Sequence, residues 1–186
     1  MARVRVLVPI ADGVEEIEAV TVIDVLRRAG VEVVCAGLTG KPVTASRKVK
    51  LIPDRSLDEV KDEAFDMVVL PGGGNGVENL KSDPRIEAIL REMNRRQKWV
   101  TAICAAPSLL AAYGLLKEKK ATSHPSRRDE TALEKVQYEE QRVVQDGHII
   151  TSRGPGTALE FALKLVEVLC GGEKVEQLKD ALVMKD

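Results

Sequence analysis

Apolar positions along the chain follow two rhythms, short β-branched runs and longer stretches with helical spacing. The strand-like runs are Val4 to Ile10, Val31 to Ala36, Asp66 to Leu70 and Trp99 to Ile103. Helical stretches lie between and after them, at Glu15 to Ala29, Pro84 to Gln97 and Pro107 to Leu115. Ala19, Val22, Ile23 and Leu26 share one face of the first helix, and Ile86, Ile89, Leu90 and Met93 one face of the second. Asp83 suits an N-cap, Pro84 a first helical position and Gly30 a helix end. Near-continuous apolar strands alternating with amphipathic helices predict an α/β fold in three layers, a mostly parallel sheet with helices on both faces. Arg142 to Gln145 and His148 to Ser152 flank Asp146-Gly147, which reads as a type I′ hairpin and adds an antiparallel strand. A helix from Thr157 to Cys170 and a short one from Glu173 to Ala181 follow. Residues 38–60 and 117–140 are polar and carry no clear period.

At 186 residues the pattern fits one globular domain, 1–186, without a linker or repeat. Lys plus Arg number 28 against 29 Asp plus Glu, so no broad field favours nucleic acid or an anionic membrane. Aromatics, at 3%, are too few to build stacking platforms for single strands. No apolar run reaches the roughly 20 residues of a membrane span, and the start lacks a signal-peptide core, so a cytoplasmic location is expected. Cys35, Cys104 and Cys170 show neither CxxC nor Cys/His spacing, which indicates reduced thiols and no metal site.

The chemistry centres on Cys104. The run Trp99 to Leu110 reads as a buried strand turning abruptly into a helix, with the thiol at the corner and Pro107 in the first turn. Backbone N–H groups at such a helix start favour thiolate, so a lowered thiol pKa is expected. In an open parallel sheet, ligands bind where the loops leave the carboxyl ends of the strands. Ala11 to Glu15, Pro71 to Gly76, Cys104 to Ala106 and Ser152 to Gly156 all fall on that edge. The glycine loop matches neither GxxxxGK[ST] nor a dinucleotide fingerprint, because no Lys-Ser or Lys-Thr follows and Val77 stands where a glycine is needed. It reads equally as a tight turn and as a cradle of bare N–H groups for an oxyanion.

Glu15, Glu16 and Glu18 suit a first helical turn for dipole reasons alone. Glu18, next to the apolar face that begins at Ala19, is placed to point inward, where desolvation would keep it protonated beside a thiolate. His124 lies in a loop and is read as a general base once Cys104 is a nucleophile. His148 reads as a strand residue, Cys35 as a buried filler and Cys170 as inert or mildly exposed.

Gly13-Val14-Glu15-Glu16-Ile17-Glu18, Leu70-Pro71-Gly72-Gly73, Ala102-Ile103-Cys104-Ala105-Ala106-Pro107, His124-Pro125 and Thr151-Ser152-Arg153-Gly154-Pro155-Gly156-Thr157 together resemble the ThiJ/PfpI superfamily, in its DJ-one/YajL branch. The resemblance implies a flavodoxin-like homodimer with Cys104 as nucleophile, Glu18 as protonated partner and His124 as proton carrier. It also implies an oxyanion site at the Gly73 and Ala105 amides, an anion pocket lined by Arg28 and Arg47, and no cofactor. The implied activity is glutathione-independent conversion of methylglyoxal to lactate and removal of glyoxal-type adducts. Ala105 stands where the protease branch has histidine, and Ala45 and Ile52 replace two further cysteines of the human pattern.

The expectation is therefore a lyase or hydrolase acting on α-oxoaldehydes or glycated side chains. Its rival is a redox sensor or chaperone switched by oxidation of Cys104, and a less favoured third is an intracellular peptidase or amidase.

Overall fold

The structure, a computed structural model, describes residues 3–132 and 135–184. Its main sheet has seven strands in the spatial order β10, β11, β7, β6, β1, β2, β5. These are β1 (Arg5–Ile10), β2 (Glu32–Gly37), β5 (Arg55–Ser56), β6 (Met67–Leu70), β7 (Trp99–Ile103), β10 (Val143–Asp146) and β11 (Ile149–Ser152). All pairings are parallel except that of β10 with β11, as the alternation of strand and helix predicts. Two small ladders lie outside the sheet: β3 (Val43–Thr44) with β4 (Lys50–Leu51), and β8 (Lys120–Ala121) with β9 (Gln137–Tyr138).

Helices cover both faces. Successive strand residues alternate sides, so Leu7, Val68, Leu70, Val100 and Ala102 join one core. That core packs against α2 (Leu57–Val60), α3 (Gly74–Lys81), α4 (Pro84–Arg95) and α5 (Ala106–Ala112). Val6, Val8, Ile10, Met67, Val69 and Ile103 join the other, against α1 (Glu16–Arg28), α7 (Ala158–Cys170) and α8 (Gly172–Ala181). The short α6 (Arg128–Thr131) packs on α5. No helix among the described residues is long and apolar enough to cross a membrane.

Several local expectations hold. Asp83 Oδ1 accepts from the Arg85 N–H at 3.0 Å, Pro84 opens α4, and Gly30 leaves α1 at φ +86°. Two expectations are corrected. The glycine-rich stretch becomes α3 within two residues of Gly72, with Val77 and Leu80 buried one turn apart; glycine's low helix propensity conceals that helix in the sequence. The hairpin is not type I′ around Asp146-Gly147. Asp146 pairs with Ile149, so Gly147 and His148 are the central residues, and only Gly147 has positive φ, the II′ arrangement.

The register aligns the strands' carboxyl ends. Leu70 pairs with Ala102, Ser152 with Ile103 and Ile10 with Gly37, so the loops that follow open on one edge.

Candidate active site

Cys104 follows β7 directly and has φ +65°, a left-handed conformation that a non-glycine residue holds only when its surroundings impose it. They do so through the backbone. The Cys104 N–H donates to the Ser152 carbonyl at 2.9 Å, and its carbonyl accepts from the His124 N–H at 2.8 Å. Loops after three strands are thereby stitched together at the corner that presents the sulfur.

Glu18 reaches the same point from α1 and is fully buried. Its Oε2 accepts from the Gly72 N–H at 2.7 Å, and the Gly72 carbonyl accepts from the Glu15 N–H at 2.9 Å. Oε1 has no hydrogen-bond partner among the described residues. Glycine at 72 is needed for this approach, since a Cβ would lie 2.6 Å from both Glu18 Oε2 and Cys104 Cβ. In the sequence Gly72 is marked only by its place between Pro71 and the next glycine.

Burial pushes Glu18 up to about 7, with hydrogen bonds from Cys104 and Gly72 opposing. Burial, then the charge and hydrogen bond of Glu18, pushes Cys104 up to about 12, while the N–H groups of Gly73 and Ala105 pull it down. The expected lowering of the thiol by the helix start is thus present but outweighed by desolvation. Groups this close titrate as a pair: the first proton leaves near 7, the second near 12, and between them one proton and one negative charge are shared. The Gly72 N–H steadies that charge on the carboxyl; the Gly73 and Ala105 N–H groups steady it on sulfur.

Gly73 adopts φ +91° and lies so close to the loop before α1 that a Cβ would run into the Gly13 carbonyl oxygen and the Glu15 N–H. Gly73→Ala is expected to cost at least ~3 kcal/mol, lowering the thermal midpoint by about 6 °C or more. Gly156, with no atom within 4 Å of a Cβ, should accept alanine without such a loss. Calorimetry of the two variants checks the contrast.

The His124 ring is near the sulfur, since a Cβ on Gly154 would lie 3.4 Å from His124 Cδ2 and 3.9 Å from Cys104 Sγ. His124 Nδ1 accepts from the Ser126 N–H at 3.2 Å and contacts Ser126 Oγ at 2.8 Å. An accepting Nδ1 leaves the proton of the neutral ring on Nε2. The loop carrying Gly154 is locked by Thr157, whose hydroxyl meets Ser152 Oγ at 2.7 Å and the Gly154 N–H at 3.0 Å.

Of the two arginines, Arg47 stands near this edge and Arg28 does not. Glu16 Oε1 accepts from the Arg47 N–H at 2.8 Å, and Ser46 Oγ bridges Glu15 and Glu16 at 2.6 and 2.8 Å. Arg47 lines a polar cleft of about 460 Å³ with Asp12, Lys48, Gly74 and Asn75. Arg28 lies ten residues beyond Glu18 on α1, about 15 Å along the axis, and pairs with Asp24 at 2.7 Å. The chain's own fold therefore separates it from Cys104.

The remaining candidates lie elsewhere. His148 Nε2 meets Asn94 Oδ1 at 2.8 Å, Cys35 is buried and pushed up to about 11 by desolvation, and Cys170 is exposed.

The DJ-1/PfpI family model matches residues 4–168. The chain belongs to the DJ-1/PfpI family. It is 46% identical over 189 residues to the Parkinson disease protein 7 homolog of Danio rerio, covering 100% of both chains. It is 38% identical to the glutathione-independent glyoxalase DJR-1.2 of Caenorhabditis elegans, covering 96% of this chain and 95% of that one. Among solved structures, Drosophila melanogaster DJ-1beta superposes with a TM-score of 0.95 at 43% identity, covering 98% of each chain. That DJ-1 likeness agrees with the flavodoxin-like α/β fold expected of the sequence.

Proposed function

We propose that this DJ-1/PfpI protein is a cofactor-free, cysteine-dependent glyoxalase and deglycase. The observation that carries the reading is the left-handed Cys104 beside the buried Glu18, with the Gly73 and Ala105 N–H groups directed at the sulfur. The named activity of the Caenorhabditis elegans relative supports it.

In the proposed mechanism, the Cys104 sulfur attacks the aldehyde carbon of methylglyoxal, forming a C–S bond and an oxyanion. The Gly73 and Ala105 N–H groups hold that oxygen. The Glu18 carboxylate takes the thiol proton as the sulfur attacks, so the charge passes through sulfur to the new oxyanion. A proton then leaves the former aldehyde carbon and another reaches the ketone carbon, with Glu18 and His124 Nε2 as carriers, giving an S-lactoyl thioester. Water cleaves the C–S bond, and lactate leaves with the thiol restored. The aldehyde carbon is oxidised and the ketone carbon reduced, so no external redox partner is needed. Acid–base help of this kind contributes about 10²–10⁴-fold. The same attack serves glyoxal adducts of side chains.

The chain is proposed to act as one domain and as a homodimer in the cytoplasm. Ile17 and Val20 on α1 and Val49 and Ile52 on the adjoining loop are exposed apolar side chains, the kind of surface a second copy covers. Three unpaired cysteines suit a reducing compartment.

The deciding experiment supplies purified protein with methylglyoxal, without glutathione, and measures lactate. Formation at a rate proportional to enzyme supports the reading; none across pH 6 to 9 refutes it.

A further inference from the structure

A second cavity lies at the opposite edge of the sheet from Cys104. It has a volume of about 620 Å³ and is bounded by the start of β1, the segment before β6, the residue before β7 and one side of α4. β7 alone places its two ends about 13 Å apart, so this cavity and the thiol are separate places. The volume falls within the roughly 300–1,000 Å³ of small-molecule sites.

Its lining is built in two zones. Leu7, Phe65, Ile89 and Met93 give an apolar floor continuous with one hydrophobic core. Such a floor offers water no hydrogen-bond partners, so an apolar group gains by displacing it. The rim is charged, with six basic side chains against four acidic ones. Most of these charges are already paired: Arg5 with Glu32 and Glu63, Lys98 with Asp66, and Arg85 with Asp83 and Asp58.

Two guanidinium groups are not used up. Arg3 is exposed and has no ion pair among the described residues. Arg96 engages Glu92 through Nε alone, leaving its two terminal nitrogens without a protein acceptor among the described residues. A guanidinium presents a planar fork of donors that matches a carboxylate or sulfonate.

We infer that this cavity is a second binding site, for a small amphipathic organic anion whose apolar body rests on Phe65, Ile89 and Met93 while its acid group meets Arg3 and Arg96. The charge excess and the unused donors select an anion over a cation or a neutral molecule. The paired charges around the mouth keep their partners on binding, so little is desolvated without compensation.

The test titrates the full-length protein with anilinonaphthalene sulfonate, an aromatic anion that brightens in apolar surroundings, and with its uncharged phenylnaphthylamine counterpart. Three variants accompany it: Ala88→Trp, which blocks the mouth from an exposed position on α4; Arg3→Ala with Arg96→Ala; and Cys104→Ser. A saturable rise is expected for the anion. Its dissociation constant should increase at least about tenfold in the tryptophan variant and in the double-arginine variant. Cys104→Ser should leave it unchanged, and the uncharged probe should ignore the arginine changes. No saturable rise, a dissociation constant within twofold of wild type in either cavity variant, or loss of binding in Cys104→Ser would each overturn the inference. Equal sensitivity of the neutral probe to the arginine changes would overturn its charge selectivity. Unchanged thermal midpoints establish that the variants are folded.

Discussion

Replacing Cys104 with serine is expected to lower lactate formation at least ~10³-fold, about 4 kcal/mol of transition-state stabilisation, while leaving the fold intact. Serine is close to cysteine in size, and the backbone bonds to Ser152 and His124 that hold φ at +65° do not involve the side chain. What changes is the nucleophile. In the wild type, the pair loses its first proton near 7, so activity should climb as pH rises through that value. Below it the sulfur and the carboxyl each hold a proton, and no charge is available to attack. A serine hydroxyl shares far less of that charge, so the serine variant should show neither the rate nor the climb. Steady-state lactate assays from pH 5 to 9, with circular dichroism as the folding control, measure both. A serine variant within threefold of wild type would remove Cys104 from the mechanism.

Much of this arrangement is readable in the sequence, for a physical reason. Central parallel strands are buried on both faces, so β1, β2, β6 and β7 announce themselves as β-branched runs within a residue or two of their ends. The topology then brings Glu18, Gly73, Cys104 and Ala105 to one edge without any knowledge of side-chain contacts. What escapes the sequence depends on long-range geometry. The two-residue strands β3, β4, β8 and β9 exist because distant segments pair, and Ser46 and Arg47 are placed by the carboxylates of Glu15 and Glu16. Arg28 rests on the resemblance alone: within this chain it pairs with Asp24 at the far end of α1 from Glu18. Depth is also hidden. The helix start at Cys104 points to an acidic thiol, while the burial that outweighs it is visible only once α1 and Gly72 close over the sulfur.

That burial makes Glu18 a stability liability at neutral pH, and Glu18→Gln should reveal it. An ordinary glutamate ionises near 4.5, and folded Glu18 near 7. As pH rises between these values the unfolded chain releases its proton first, so the folded state binds more protons and stability falls with pH. The contribution of the protonated carboxyl is therefore complete below about 4.5 and is lost by the time pH passes 7. A gap of this size corresponds to about 3 kcal/mol. Glutamine stays neutral throughout, and its side-chain oxygen can still accept from the Gly72 N–H. The variant should match the wild type near pH 4 and exceed its stability by up to ~3 kcal/mol at pH 8, with the difference growing across the interval. The same change removes the proton donor beside the sulfur, so lactate formation should fall about 10²-fold or more. Urea unfolding at pH 4, 6 and 8 decides the matter. A difference that does not vary with pH would mean that Glu18 ionises normally, and the proton-sharing pair with Cys104 would have to be abandoned.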